Sequence, residues 1–163
     1  MAMVQSGQEA PRFTLLDTGG KPLALAEALA KGPVVAAFFK ISCPTCQFTF
    51  PFLERLHRAF GDRAAFIGVS QDDAGITEEF RLEYGITFPC VVDEDNYPVS
   101  REYGLTYVPT TYLLSPDGKV SLLSVGFVKD DLLRISTELA VSLHKPEPLL
   151  FGPEEIIPDY KPG

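Results

Sequence analysis

Residues 40–51 read KISCPTCQFTFP, two cysteines three apart directly behind the apolar run PVVAAFF at 33–39. An apolar run followed by a helix-forming stretch places the pair at a strand-to-helix junction. Cys43 falls near the N-cap of a helix expected over 44–60. Pro44 suits its first turn, where a missing N–H costs nothing. The unpaired N–H groups of that turn and the helix dipole favour a thiolate at Cys43. Cys46 lies one turn behind and can attack a mixed disulfide formed at Cys43. Spacing alone leaves three roles open: a catalytic redox pair, half of a metal site, or a structural pair.

Composition narrows these. The 163 residues contain only three cysteines, Cys43, Cys46 and Cys90, too few for a disulfide scaffold or a four-cysteine metal site. His57 and His144 complete the soft ligands, at spacings unlike common zinc motifs, and no metal is expected. Cys90 reads as a small apolar strand residue. His57, between Arg55 and Arg58, reads as a solvated helix position. The formal net charge of −8 argues against nucleic-acid binding, which needs basic surface. The acidic clusters Asp72-Asp73, Glu78-Glu79 and Asp93-Glu94-Asp95 read as solvated loops and helix starts.

Further apolar runs, AAFIGVS (64–70), PCVVD (89–93), TTYLLS (110–115) and VSLLSVGFV (120–128), are rich in β-branched and aromatic residues. The runs at 33–39 and 64–70 are nearly continuous, as in strands buried on both faces, so helices are expected on each side of the sheet. SPDG at 115–118 fits a type I turn joining two antiparallel strands. Helices are expected at about 24–31, at 74–85 with Thr77 as cap and Gly85 as stop, and at 130–144, where Leu132, Ile135, Leu139 and Leu143 share one face. Residues 13–25 read as a β-hairpin. The order gives an α/β sandwich.

At FFKISCPTC the chain resembles the thioredoxin-like superfamily. Three distant features extend the likeness over about residues 10–144: Pro51, five residues after the second cysteine; YVPTTYLL at 107–114, similar to the cis-proline loop; and the SPDGKV hairpin. The segment APRFTLLDTGGKPLALAEAL and the extra stretch 71–103 are similar to thiol–disulfide oxidoreductases related to cytochrome-maturation thioredoxins and to the alkyl hydroperoxide reductase/thiol-specific antioxidant group. The resemblance implies a three-layer sandwich with a central mixed sheet, an N-terminal β-hairpin extension and an inserted helix–strand segment. It implies Cys43 and Cys46 as the catalytic pair, with Val108, Pro109, Phe39, Pro44 and Thr45 at the substrate site. No cofactor is expected beyond a redox-active Cys43–Cys46 disulfide. Expected partners are a disulfide-containing protein or small disulfide and an electron-donating reductase, with no membrane span.

Departures from the family pattern matter. Ala37 and Thr49 occupy positions where relatives carry acids that accept the proton of the second thiol, and Ser42 replaces a common Trp. A peroxiredoxin-like thiol peroxidase, with Cys46 resolving Cys43, is the second candidate. Its family needs a hydroxyl residue three positions before the cysteine and a proline seven before, where this chain has Lys40 and Ala36. A redox-inactive thioredoxin-like adaptor is the third.

Residues 1–144 are expected to form the thioredoxin-like domain and 145–163, KPEPLLFGPEEIIPDYKPG, a proline-rich acidic and apolar tail. The prolines oppose regular structure, yet Leu149, Leu150, Phe151, Ile156, Ile157 and Tyr160 are too apolar for an inert linker. The tail is expected to pack on its own domain, with a tail-mediated dimer as the alternative. The opening MAMVQSGQEAPRF has neither a basic nor an apolar leader segment, and a cytoplasmic location is expected.

Overall fold

The strand Val34–Phe39 (β3) is buried at every position, and the sheet is built around it. The computed structural model describes residues 2–163. Before β3 come a short hairpin, Thr14–Leu16 (β1) with Pro22–Ala24 (β2), and a helix, Leu25–Leu29 (α1). After it follow Pro44–Phe60 (α2), Ala65–Ser70 (β4), Ala74–Glu83 (α3), Cys90–Val92 (β5), Pro98–Glu102 (α4), Thr110–Leu114 (β6), Val120–Val125 (β7), Phe127–Val128 (β8), Lys129–Leu143 (α5) and Tyr160–Lys161 (β9). The central sheet has the order β5-β4-β3-β6-β7, with β3, β4 and β5 mutually parallel, β6 antiparallel to β3, and β7 antiparallel to β6.

Side chains alternate across a strand, so β3 feeds two cores. Val35, Ala37 and Phe39 face Leu53 and Leu56 of α2, Phe80 of α3, and Leu132 and Ile135 of α5. Val34, Ala36 and Phe38 face Leu25 and Leu29 of α1, Val99 of α4 and the tyrosines Tyr103 and Tyr112. The result is the mixed sheet with helices on both faces that the sequence implies.

Three local readings change. Asp73, not Thr77, caps α3, accepting the Ile76 N–H at 3.0 Å. Thr77 is buried inside that helix, 2.6 Å from the Ser70 hydroxyl. Asp93 is not solvated: it is fully buried and accepts hydrogen bonds from the Val99 and Ser100 N–H groups and the Ser100 hydroxyl, tying α4 to β5. His57 packs edge-on against Phe66 and Phe88, with Nδ1 3.1 Å from the Thr87 hydroxyl. Glu54 beneath it is also buried. Burial opposes its charge, but hydrogen bonds from the Thr87 hydroxyl and N–H outweigh that, and its carboxyl lies below the ordinary range.

Residues 145–163 run back along α2. Leu150 is buried, its carbonyl accepts from Arg55 at 2.9 Å, and Phe151 meets the Phe52 ring at 5.0 Å. Arg55 also makes a two-pronged pair with Glu155 at 2.7 and 2.8 Å, which holds the Glu155 carboxyl down at about 2. The segment also contains regular structure, β9, paired antiparallel with β8.

Gly68 in β4 lies under this core. A Cβ there would sit 2.8 Å from Cys90 Sγ and 3.1 Å from the Phe39 ring. Gly68→Ala is expected to cost about 1–3 kcal/mol of stability by overpacking, read as a lower denaturation midpoint at unchanged slope. Adding Cys90→Ala should recover part of that loss.

Candidate active site

The loop between β3 and α2 is held from both sides. The Ile41 N–H donates to Asp72 Oδ2 at 2.8 Å, and the Ile41 carbonyl accepts from Gln47 Nε2 at 2.8 Å. The Cys43 N–H closes a turn onto the Lys40 carbonyl at 3.3 Å. Cys43 is thereby set as the N-cap of α2, with extended backbone at φ −83° and ψ 114°, and its sulfur accepts the Cys46 N–H at 3.1 Å. A helix N-terminal amide is thus aimed at the atom where negative charge would develop.

The second wall is the loop before β6. Its Val108–Pro109 bond is cis, and Cys43 Sγ lies 3.6 Å from the Val108 carbonyl oxygen. The Thr110 hydroxyl donates to the Tyr107 carbonyl and the Gly126 N–H to the Pro109 carbonyl, which fixes the loop to β7. Pro44 is exposed at the first position of α2, and Thr45 behind it is buried, its hydroxyl donating to the Pro162 carbonyl at 2.6 Å.

The two thiols differ sharply, and both are free. Cys43 is partly exposed; Cys46 is completely buried. Burial pushes the Cys46 thiol far above the ordinary range, and the hydrogen bond with Cys43 adds to this. The charge of Asp72 pushes the same way. Thr49 gives its hydroxyl to the Thr45 carbonyl at 2.7 Å, and Ala37 is core, so neither position supplies a proton acceptor.

Of the residues expected at the site, Cys43, Cys46, Pro44, Thr45, Val108 and Pro109 lie at this end of the sheet. Phe39 does not serve as a substrate contact: it is 0% exposed, stacked on Phe50 at 4.2 Å and Phe80 at 5.0 Å. Its place in the strand alternation points it into the α2 core. Asp72, Gln47 and Pro162 were missed. The parallel register Phe39↔Ser70 held the clue for Asp72, because residues two past each strand end lie side by side. Cys90 pairs with Gly68 inside the sheet, is fully buried, and its thiol is pushed up to about 12 by that burial. Among the described residues no group of three or more His, Cys, Asp or Glu is arranged to hold a metal ion.

Comparison with known proteins places this geometry. The model of the AhpC/TSA family matches residues 6–122. The chain belongs to the AhpC/TSA family. It is 30% identical over 132 residues to thiol-disulfide oxidoreductase ResA of Bacillus subtilis, covering 80% of this chain and 73% of that one. Among solved structures, the thioredoxin domain of a thiol-disulfide oxidoreductase from Bacteroides vulgatus superposes with a TM-score of 0.74 at 24% identity, covering 83% of this chain and 97% of that one. A secreted disulfide oxidoreductase of Mycobacterium tuberculosis superposes with a TM-score of 0.67 at 23% identity, covering 79% and 95%. The chain is a thioredoxin-fold oxidoreductase of the thiol–disulfide exchange type. The cytoplasmic location expected from residues 1–13 is corrected here. The similar Mycobacterium tuberculosis disulfide oxidoreductase is secreted, so this fold and its dithiol carry no cytoplasmic assignment. Among the described residues no helix is long and apolar enough to cross a membrane.

The buried Cys46 thiol gives a pH signature. Its raised pKa keeps it protonated through neutral pH, so its thiolate fraction should rise about tenfold per pH unit. A mixed disulfide on Cys43 is therefore expected to resolve faster as pH rises from neutral into the alkaline range, followed by mass spectrometry after acid quench. A flat profile would contradict the burial argument.

Proposed function

We propose that Cys43 and Cys46 are the dithiol with which this oxidoreductase exchanges disulfides, Cys43 as nucleophile and Cys46 as resolver. One observation carries the assignment: the Cys43 sulfur caps α2, takes the Cys46 N–H at 3.1 Å, and stands partly exposed beside the Val108 carbonyl. The Cys43 thiolate attacks one sulfur of a substrate disulfide. That S–S bond breaks, a Cys43 mixed disulfide forms, and the leaving thiolate takes up a proton. Cys46 then loses its proton and attacks Cys43 Sγ. The second substrate thiol departs and a Cys43–Cys46 disulfide remains.

Two electrons have passed from protein to substrate, with one proton from Cys46 and one from solvent. A reductase or dithiol donor returns them, and the same steps run backwards oxidise a dithiol. The chemistry resides in the two sulfurs and calls for no further cofactor. Pro44 and Thr45 on one side, Val108 and Pro109 on the other, bound the approach to Cys43. A peroxidase reading lacks a specific support: the position three before Cys43 is an exposed lysine, Lys40.

Hydroxyethyl disulfide reduction and hydrogen-peroxide consumption, measured on wild type and Cys43→Ser, test the proposal. Fast, Cys43-dependent disulfide reduction with slow peroxide turnover is expected. Fast Cys43-dependent peroxide turnover would move the protein to the peroxidase class, and no Cys43-dependent activity would leave a redox-inactive adaptor.

A further inference from the structure

We propose that residues 158–163 form a strap that sets the substrate range of the dithiol, keeping polypeptide disulfides out of the groove beside Cys43 while small disulfides still enter. This rests on Cys43 being the nucleophile.

Two walls flank the Cys43 sulfur: the first turn of α2, which carries Thr45, and the loop that carries Val108. The strap bridges them. The Thr45 hydroxyl donates to the Pro162 carbonyl at 2.6 Å. Gly163 lies so close to the Val108 carbonyl that a Cβ on it would collide with that oxygen. The same carbonyl oxygen is the one 3.6 Å from Cys43 Sγ. Upstream, the Lys129 N–H donates to the Asp159 carbonyl at 2.9 Å, and β9 pairs with β8 through Phe127↔Lys161 and Val128↔Tyr160. Lys161 Nζ lies 4.9 Å from the Phe48 ring centre on α2. Gly126, at φ +76°, makes room for this path: a Cβ there would stand 2.7 Å from the Lys161 carbonyl oxygen.

The strap is thus an extended peptide that runs along β8 and across the first turn of α2 to the carbonyl beside the sulfur. A cysteine within a polypeptide substrate brings backbone on both sides, and extended backbone binds by laying itself along such surfaces. Here the chain's own residues already lie there. A small disulfide brings no flanking backbone and can reach Cys43 past the exposed Ser42 and Pro44.

The hold is light enough to be displaced. Tyr160, Pro162 and Gly163 are exposed, the ladder is two residues long, and Pro158 and Pro162 have no N–H to extend it. The rate on a polypeptide disulfide is then scaled by the fraction of molecules with the strap away, whereas the rate on a small disulfide is not.

Three proteins test this against wild type: a chain ending at Ile157, full-length Thr45→Val, and Cys43→Ser. Each is assayed on insulin and on hydroxyethyl disulfide, with thermal melting to show that it is folded. The ratio of insulin rate to hydroxyethyl disulfide rate cancels any direct effect on the thiols. It is expected to rise on the order of tenfold in the shortened chain and about threefold in Thr45→Val, in keeping with the loss of several hydrogen bonds and of one. An unchanged ratio in both, with activity still dependent on Cys43, overturns the strap and leaves the nucleophile standing. Activity retained in Cys43→Ser overturns both. If the shortened chain does not fold, the Thr45→Val ratio decides alone.

Discussion

The constraint on which everything else depends is the pairing of β3 with its two neighbours. Parallel pairing with β4 in the register Phe39↔Ser70 and antiparallel pairing with β6 in the register Phe38↔Thr110 bring three chain segments to one end of the sheet. These are the loop 40–43 leaving β3, the loop 71–73 leaving β4 and the loop 107–109 entering β6. The Asp72 clamp on Ile41 and the Val108 carbonyl beside Cys43 are both consequences of that convergence. A one-residue slip of β3 would turn Phe38 and Phe39 to the wrong faces and separate the cysteine from both loops.

The same geometry makes the two thiols unequal. Cys43, at the cap, is reachable and has an amide directed at its sulfur; Cys46, one turn in, is sealed beneath it. In the proposed exchange that inequality orders the reaction: the accessible sulfur meets substrate, and the buried one acts only when a mixed disulfide has formed next to it. Ala37 and Thr49 are no acids, so neither position offers an acceptor for the Cys46 proton. Burial keeps the Cys46 thiol protonated, and the charge of Asp72 adds a smaller push in the same direction. On the proposed mechanism, burial of Cys46 makes resolution pH-dependent, faster as the thiol ionises.

Much of this was legible in the sequence, because the signals were local. Helix α2 spans 44–60 as read from Pro44, and the five central strands lie where the apolar runs fall. The misreadings have one physical source, contacts made across long chain separations. Phe39 was assigned to the site by the family resemblance, but strand alternation turns it into the core. Asp93 was taken as solvated because nothing in DED announces that Ser100 will fold back over it. Thr77 was taken as a cap, whereas Asp73 four residues earlier does that work, and Thr77 instead meets Ser70 on β4. The prolines of the tail masked β9, which has a partner only because residues 145–159 run back along α2 to β8.

The central claim is that exchange passes through a mixed disulfide on Cys43 which Cys46 resolves. Trapping tests it most directly: Cys46→Ala is mixed with a small disulfide, quenched in acid and mapped by peptide mass. The account predicts a stable adduct on Cys43, and in wild type a Cys43–Cys46 disulfide with no lasting adduct. An adduct on Cys90, or no adduct on Cys43, would contradict it.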